Sequence, residues 1–497
     1  MSQSTEQKFM NLLKEQSSYE EAIGLMAWDM RTKAPKKAVE TRSEVLGVLS
    51  QKVHEIQTSQ EMKTYLDDLE GKAANPIVQK AVEEAKETYE RTAKIPTSEY
   101  KAYVTLQSKA ESMWAEAKEN NDFKSFQPYL EELVAYNRRF AEYWGYDKHK
   151  YDALLHNYEP GVTVEILDQV FPKVRKSLTE LLEQIKQAPV QPDPSLLEGH
   201  FPKDMQEEFS YEILQRMGYD FNAGRLDETI HPFAIGLNRN DVRVTTKYDE
   251  KDFRTAVFGT IHEGGHALYE QNIDPKLAFT PLATGTSMGI HESQSLFWEN
   301  FVSRSRPFWE NHYELFQSHA PERFEALALD DFYKAVNEVK PSMIRIEADE
   351  LTYCLHIMVR YELEKALIGG EIEVKDLPQL WNEKMEDYLG VTPANDAEGV
   401  LQDIHWSGGD FGYFPSYALG YMYAAQFQHT MEQDLNFNEV IQKGNFKQIQ
   451  GWLTKHIHQF GKIKKPLEIL NDVTGEGLNP DYLVTYLTNK YKGIYKF

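Results

Sequence analysis

His262 and His266 stand four residues apart in FGTIHEGGHALYEQ (Phe258 to Gln271), and Glu263 directly follows the first of them. On a helix this spacing sets both imidazoles on one face, one turn apart. Two such nitrogens can bind one Zn²⁺ at about 2.0–2.1 Å each. A glutamate beside the first histidine points at the water that the ion activates and can take its proton. So short a pattern also arises by chance, and its plain alternative is two solvated helix histidines. Gly264 and Gly265 argue against that alternative. Each costs about 1 kcal/mol relative to alanine in a helix interior, which signals close approach by a neighbouring backbone or a ligand. A catalytic zinc takes three protein ligands and keeps one position open. GIHESQSLFWENF offers the third from a separate helix: Glu292, with 25 residues between it and His266. Gly285 and Gly289 before it would let the chain turn back. His291, Glu270 and Glu299 are the alternatives, each more at home as a surface or capping residue.

The elements that must carry these residues read mostly as helix. Thr163 to Ala188 has apolar residues at helical spacing and stops at the proline-rich PVQPDPS. PSMIRIEADELTYCLHIMVRYELEKALIGG reads as one long helix, opened by Pro341 and closed by Gly369 and Gly370. Residues 1–145 read as successive charged amphipathic helices. One segment differs. TIHPFAIGLNRNDVRVTTKYDE sets Val242, Val244 and Thr246 on one side and Arg243, Thr245 and Lys247 on the other. With NRND as its turn it reads as a β-hairpin directly before the HEGGH helix. Such a hairpin is either a small structural unit or an edge with which a peptide can pair.

Composition narrows the class. The chain has 497 residues, 41% hydrophobic and 27% charged, and a formal net charge of −24. That charge disfavours holding nucleic acid or an anionic membrane through the overall field. The single cysteine, Cys354, excludes an intramolecular disulfide and fits a reducing compartment, so a cytoplasmic location is expected. The N-terminus reads as a polar helix, not as a signal peptide. No apolar run approaches the roughly 20 residues that a membrane span needs.

Six motifs in one order then carry a resemblance: HPF (His231 to Phe233), DVRVT (Asp241 to Thr245), HEGGH, HESQS (His291 to Ser295), IRIEAD (Ile344 to Asp349) and GVLQDIHW (Gly399 to Trp406). The chain resembles the thermostable metallocarboxypeptidases, the carboxypeptidase Taq family, over essentially its whole length. The resemblance implies a mainly α protein with a deep substrate cleft, similar to neurolysin and angiotensin-converting enzyme, with a small β-sheet beside the HExxH helix. It implies one catalytic domain over 1–497, with about 1–145 as a helical wall or lid and about 229–425 as the site region. It further implies homodimers, peptide substrates with a free C-terminus, and one Zn²⁺ per chain, for which Co²⁺ can substitute. Single C-terminal residues would be released with broad preference.

The resemblance also distributes roles. His262, His266 and Glu292 hold the metal, and Glu263 is the general base. HWSGGDFGYFPSYALGY places His405 before a glycine loop (Gly408, Gly409, Gly412) and then Tyr413 and Tyr417. By likeness to the neurolysin arrangement, the later tyrosine, Tyr417, is the oxyanion donor with His405 beside it, and Tyr413 contacts substrate. The plain alternative is that both tyrosines are cleft-wall packing. Arg345 is the first choice to bind the peptide's C-terminal carboxylate. By spacing alone it would instead pair with Asp349 at i+4 of a helix. Arg243 is the second choice. His231 and His291 are expected near substrate or behind a metal ligand, or as satisfied structural histidines. Two other readings compete: an oligoendopeptidase or dipeptidyl carboxypeptidase with the same chemistry, and a non-catalytic peptide-binding protein. Retention of Glu263 and all three ligands speaks against the last.

Overall fold

Helices dominate the computed structural model, which describes residues 4–320 and 322–497. The first part of the chain is helical, as expected: α1 Thr5–Thr32, α2 Val39–Gln57, α3 Gln60–Leu69, α4 Pro76–Ala93, α5 Thr97–Asn120 and α6 Phe123–Trp144. The chain continues through α7 Lys150–Leu155, α8 Val164–Lys186 and α9 Lys203–Met217. After the sheet come α10 Phe253–Gln271, α11 Met288–Leu296, α12 Arg306–Ser318, α13 Leu329–Val336, α14 Tyr353–Gly369, α15 Leu377–Leu389 and α16 Pro415–Asp434. Four further helices complete the chain between residues 437 and 495. No helix among the described residues is long and apolar enough to cross a membrane.

The expected hairpin is present as β2 Ala234–Asn238 and β3 Asp241–Thr246, paired antiparallel. It belongs to a larger unit than the hairpin pattern suggested. β1 Gly224–Glu228 pairs parallel with β3, which makes β3 the central strand and leaves β2 on an edge. Val242, Val244 and Thr246 are buried, as the alternation required, but Thr245 on the other side is buried too. Thr245 earns its burial by a double bond to Phe233: its Oγ1 accepts the Phe233 N–H at 2.8 Å and donates to the Phe233 carbonyl at 2.9 Å.

α10 lies under this sheet and is buried on nearly all sides, as befits a helix that is apolar around its circumference. Asp252 caps it by accepting the Arg254 N–H at 3.0 Å. The two interior glycines now have separate reasons. A Cβ on Gly264 would come within 2.6 Å of Leu214 Cδ2 on α9, and one on Gly265 within 2.5 Å of the Gln294 carbonyl on α11. The close neighbour at Gly265 is therefore a backbone, that of the helix expected to carry the third ligand.

Two expectations need correction. The helix drawn from Pro341 begins only at Tyr353, and residues 341–352 are irregular apart from a short 3₁₀ turn at Arg345–Glu347. The physical cause is Asp349. It accepts the N–H groups of Leu351 and Thr352 at 2.9 Å and the Thr352 hydroxyl at 2.8 Å, a local capping arrangement that starts the helix later. Gly285 lies in the loop between α10 and α11, where a Cβ would come within 2.6 Å of the His291 ring, but Gly289 is not in that loop. Gly289 lies inside α11, and its missing side chain makes room for the Glu159 carboxylate.

Candidate active site

His262 and His266 project from α10 with their rings edge to face, centroids 5.1 Å apart. Ser287 caps α11, whose next turns bring Glu292 opposite them. Glu292 Oε1 lies 3.8 Å from His262 Nε2, and Oε2 lies 3.5 Å from His266 Nε2. One donor atom from each of the three lies within 4.8 Å of the others. Two imidazole nitrogens and a carboxylate oxygen at this mutual distance fit a single first-row divalent ion. Of the acids considered, Glu292 is the one in ligand position.

Glu270 is buried and Glu299 half-buried, both behind the histidines and not on the open surface. α11 continues as a π-helical stretch, Phe297–Ser303, and this wider turn delivers Glu299 Oε2 to His262 Nδ1 at 2.9 Å. Arg304 holds the other Glu299 oxygen at 3.0 Å. On the other side, His266 Nδ1 meets His291 Nδ1 at 2.6 Å, and His291 Nε2 meets Glu270 Oε1 at 2.8 Å. A carboxylate acceptor makes Nε2 the donor of His291, so its Nδ1 accepts and His266 Nδ1 donates. Both ligand histidines are thereby fixed with Nε2 free to face the ion. His291 sits behind His266.

Glu263 is buried beside this set, with 9% of its surface exposed. Burial raises its carboxyl to about 7, with His262 pulling down and Glu292 pushing up. It also accepts the backbone N–H of Ala234 on β2. That bond agrees with the ladder. The Thr245 N–H donates to the Phe233 carbonyl at 3.0 Å, so residues 233 and 235 face β3, while Ala234 and Gly236 turn their N–H and C=O groups away from it.

The other half of the site surrounds α16. Gly420 lets that helix lie against Glu292, since a Cβ there would be 2.7 Å from Glu292 Cβ. One turn earlier, the Tyr417 hydroxyl lies 3.1 Å from His405 Nε2. Tyr413 packs edge-on to Tyr417, centroids 5.1 Å apart. The nearby Glu292 charge helps to push the hydroxyl of Tyr413 up to about 12 and that of Tyr417 well above its usual value, behind burial as the main cause in each. Burial, assisted by Arg345, lowers His405 to about 3, so its ring is neutral at physiological pH. The buried His405 Nδ1 has no hydrogen-bond partner.

Arg345 is buried, with 6% exposed, and is not paired with Asp349. Asp349 is committed to capping; Arg345 instead binds Asp403 Oδ1 through Nε at 3.0 Å and Nη2 at 2.9 Å. Arg360 holds the second Asp403 oxygen through Nε at 2.7 Å. Asp403 is driven well below the usual carboxylate range, because the two guanidiniums outweigh its burial. Asp403 and Arg360 carried no motif role in the sequence reading, although Asp403 lies within GVLQDIHW. The Arg345 guanidinium lies 4.9 Å from the Tyr417 ring centroid and so borders the tyrosine pair.

Two sequence candidates are placed elsewhere. Arg243 makes a bidentate pair with Asp241, both bonds 2.8 Å, and its guanidinium stacks 4.4 Å from the Trp28 ring of α1. It ties the sheet to the N-terminal helices. His231 is exposed on the bend before β2.

A metal donor set on two packed helices, with a buried carboxyl beside it and a strand edge alongside, defines a helical metallopeptidase. Within that class the chain belongs to the carboxypeptidase Taq (M32) metallopeptidases, whose family model matches residues 8–491. Carboxypeptidase 1 of Bacillus subtilis (strain 168) is 56% identical over 493 residues, covering 99% of this chain and 98% of the relative. Thermostable carboxypeptidase 1 of Thermus thermophilus is 40% identical, covering 99% of each. Among solved structures, the M32 carboxypeptidase from Deinococcus radiodurans R1 matches with a TM-score of 0.97 at 33% identity, covering 100% of both chains.

Proposed function

We propose that this chain removes single residues from the C-termini of peptides with broad preference, with Zn²⁺ held by His262, His266 and Glu292, and with Co²⁺ able to replace it. The observation that carries the carboxypeptidase reading is the buried group of Arg345, Arg360 and Asp403, two cations against one anion. Buried charge calls for a partner, and a peptide's terminal carboxylate supplies the missing negative charge. Arg345 Nη1 makes no bond to Asp403; it donates one N–H to the Tyr353 hydroxyl at 3.4 Å and has a second N–H for a carboxylate.

His262, His266 and Glu292 would hold the ion, which would supply a water of lowered pKa and polarise the scissile carbonyl. Glu263 takes the proton of that water and passes it to the leaving amine, a task suited to a carboxyl held near 7. Tyr417 and His405 donate to the oxyanion as it develops, and Tyr413 lines the substrate. The outward carbonyl of Ala234 and the outward N–H and C=O of Gly236 pair with the peptide as an added strand, while the Ala234 N–H stays with Glu263. Helices α1–α6 form the wall or lid of the cleft. A cytoplasmic, homodimeric enzyme completes the reading; it rests on the lone buried cysteine and the family resemblance.

The test is a peptide ladder, followed by mass spectrometry on metal-free and metal-restored protein. Single-residue steps that appear only with Zn²⁺ or Co²⁺, and that C-terminal amidation suppresses, support the reading. Two-residue steps would make it a dipeptidyl carboxypeptidase, and internal cuts an endopeptidase. No turnover with any added divalent ion would leave a binding protein.

A further inference from the structure

The link between α7 and α8 contains two adjacent residues, Tyr158 and Glu159, that belong to none of the six motifs. Glu159 is completely buried. Its carboxylate accepts the Ser287 hydroxyl at 3.0 Å and the Gly289 N–H at 2.8 Å, both at the start of α11. It also accepts the Tyr423 hydroxyl of α16 at 3.1 Å. The Tyr158 carbonyl accepts the Met288 N–H at 2.9 Å. A carboxylate at a helix N-terminus is favoured by the helix dipole. Here it grips the helix that carries Glu292, and in the same bond set the helix that carries Tyr417.

The side chain of Tyr158 reaches the opposite way. Its hydroxyl donates to Asp410 Oδ1 at 3.1 Å, and its ring meets Tyr413 edge-on with centroids 5.0 Å apart. Asp410 and Tyr413 lie on the glycine loop between His405 and Tyr417. α5 holds the far side of that loop, where Gln107 Nε2 donates to the Gly408 carbonyl at 2.5 Å. One dipeptide therefore holds α11 through the Glu159 carboxylate and the Tyr158 carbonyl, and the glycine loop through the Tyr158 side chain.

We infer that Tyr158–Glu159 is a positioning element that sets the separation between the metal-ligating Glu292 and the oxyanion donors His405 and Tyr417. The inference rests on the roles proposed above for those three residues. Neither Tyr158 nor Glu159 touches a metal donor or the reacting groups. Their contribution is alignment, and alignment is steep: a displacement of about 1 Å can cost on the order of 100-fold in rate.

The test uses the full-length, metal-loaded protein with Tyr158→Phe and Glu159→Gln, each close in size to the native residue. Metal affinity by chelator competition should stay within about twofold of wild type. Turnover should fall roughly 10- to 100-fold with little change in KM. Affinity for a phosphinic peptide, which mimics the tetrahedral transition state, should fall in parallel, while affinity for the released amino acid is retained. Wild-type kcat in both variants would overturn the inference. So would a kcat loss matched by an equal loss of metal affinity, which would reduce Glu159 to a helix cap. Tyr417→Phe, assayed alongside, separates the two levels. If Tyr417→Phe keeps full turnover, the donor assignment itself fails. If it is slow while both positioning variants run at the wild-type rate, only the positioning inference falls.

Discussion

The metal half of the site and the carboxylate half are assembled by different means. His262, Glu263 and His266 come from five consecutive residues of one helix, and Glu292 comes from the helix packed against it. Arg345, Asp403, His405 and Tyr417 come from a 3₁₀ turn, a loop and the first turn of α16. In the metal half, helical period sets the angles, and a backbone contact at Gly265 sets the spacing. In the carboxylate half, an ionic group and a capping aspartate do that work. The first is rigid against changes of volume. The second depends on charge and on the path of a loop.

Glu263→Gln should give the largest effect and probe the metal half chemically. Metal content should be unchanged and kcat should fall about 10³-fold, within the usual range for lost general-base catalysis. Elemental analysis and single-turnover assays measure the two. Near-normal rates would remove Glu263 from the mechanism and leave the donor set without a base.

Tyr417→Phe probes the other half. An oxyanion donor is worth roughly 10²- to 10³-fold in kcat, so a loss near 10²-fold at constant KM is expected in steady-state kinetics. A purely structural tyrosine would instead show its loss in thermal stability. The same variant in a Glu263→Gln background asks whether the halves act as one unit. Losses far from multiplicative would show that they do.

Gly265→Ala and Gly259→Ala break the comparison mechanically, within one helix. A Cβ at Gly265 meets the α11 backbone at 2.5 Å, whereas one at Gly259 meets nothing within 4 Å. Gly265→Ala should destabilise by about 1–3 kcal/mol through overpacking, and should weaken metal binding as α11 is pushed away. Gly259→Ala should stabilise by up to about 1 kcal/mol. Denaturant titration decides both signs, and equal signs would mean that the packing account is wrong.

The smallest effect concerns pH and the loop of the carboxylate half. Glu364 on α14 accepts the Trp406 indole N–H at 2.7 Å and the Gly412 N–H at 2.9 Å, which pins the loop at both ends. Burial raises its carboxyl to about 7, despite those hydrogen bonds. A carboxyl raised in the folded state contributes stability in full below its unfolded value of about 4.3, and this is lost as pH rises through about 7. Melting temperature should therefore decline between about pH 4.3 and about pH 7 and level off above it, and Glu364→Gln should flatten that decline even if it lowers the whole curve. An unchanged slope would show that another group titrates there.

Legibility in the sequence follows the same division. The HEGGH pair was readable because a helix repeats every 3.6 residues, and the glycines because their cost demands a neighbour. The hairpin was readable from β-branched alternation, although its parallel partner β1, distant in pattern, was not. Arg345 was recognised through its motif, but its buried partner Asp403 was not foreseen. Continuing a helix back to Pro341 put Asp349 at i+4, while Asp349 in fact ends that continuation by capping Thr352. The roles of Glu299 and Glu270 were hidden because a π-helical turn and a histidine relay bring them behind the ligands. Tyr158 and Glu159 left no periodic signal, since a link residue's partners lie on other elements.

What the sequence alone determined is the chemistry on α10: two nitrogens and a carboxyl on one helical face, placed by local hydrogen bonding whatever the rest of the chain does. Only the tertiary structure decided which of the nearby acids stands opposite the two histidines, which carboxylate holds Arg345, and that Tyr417 meets His405. Those choices depend on burial and on contacts between segments far apart in the chain. An isolated stretch carries no record of which distant charge it will meet once water is excluded.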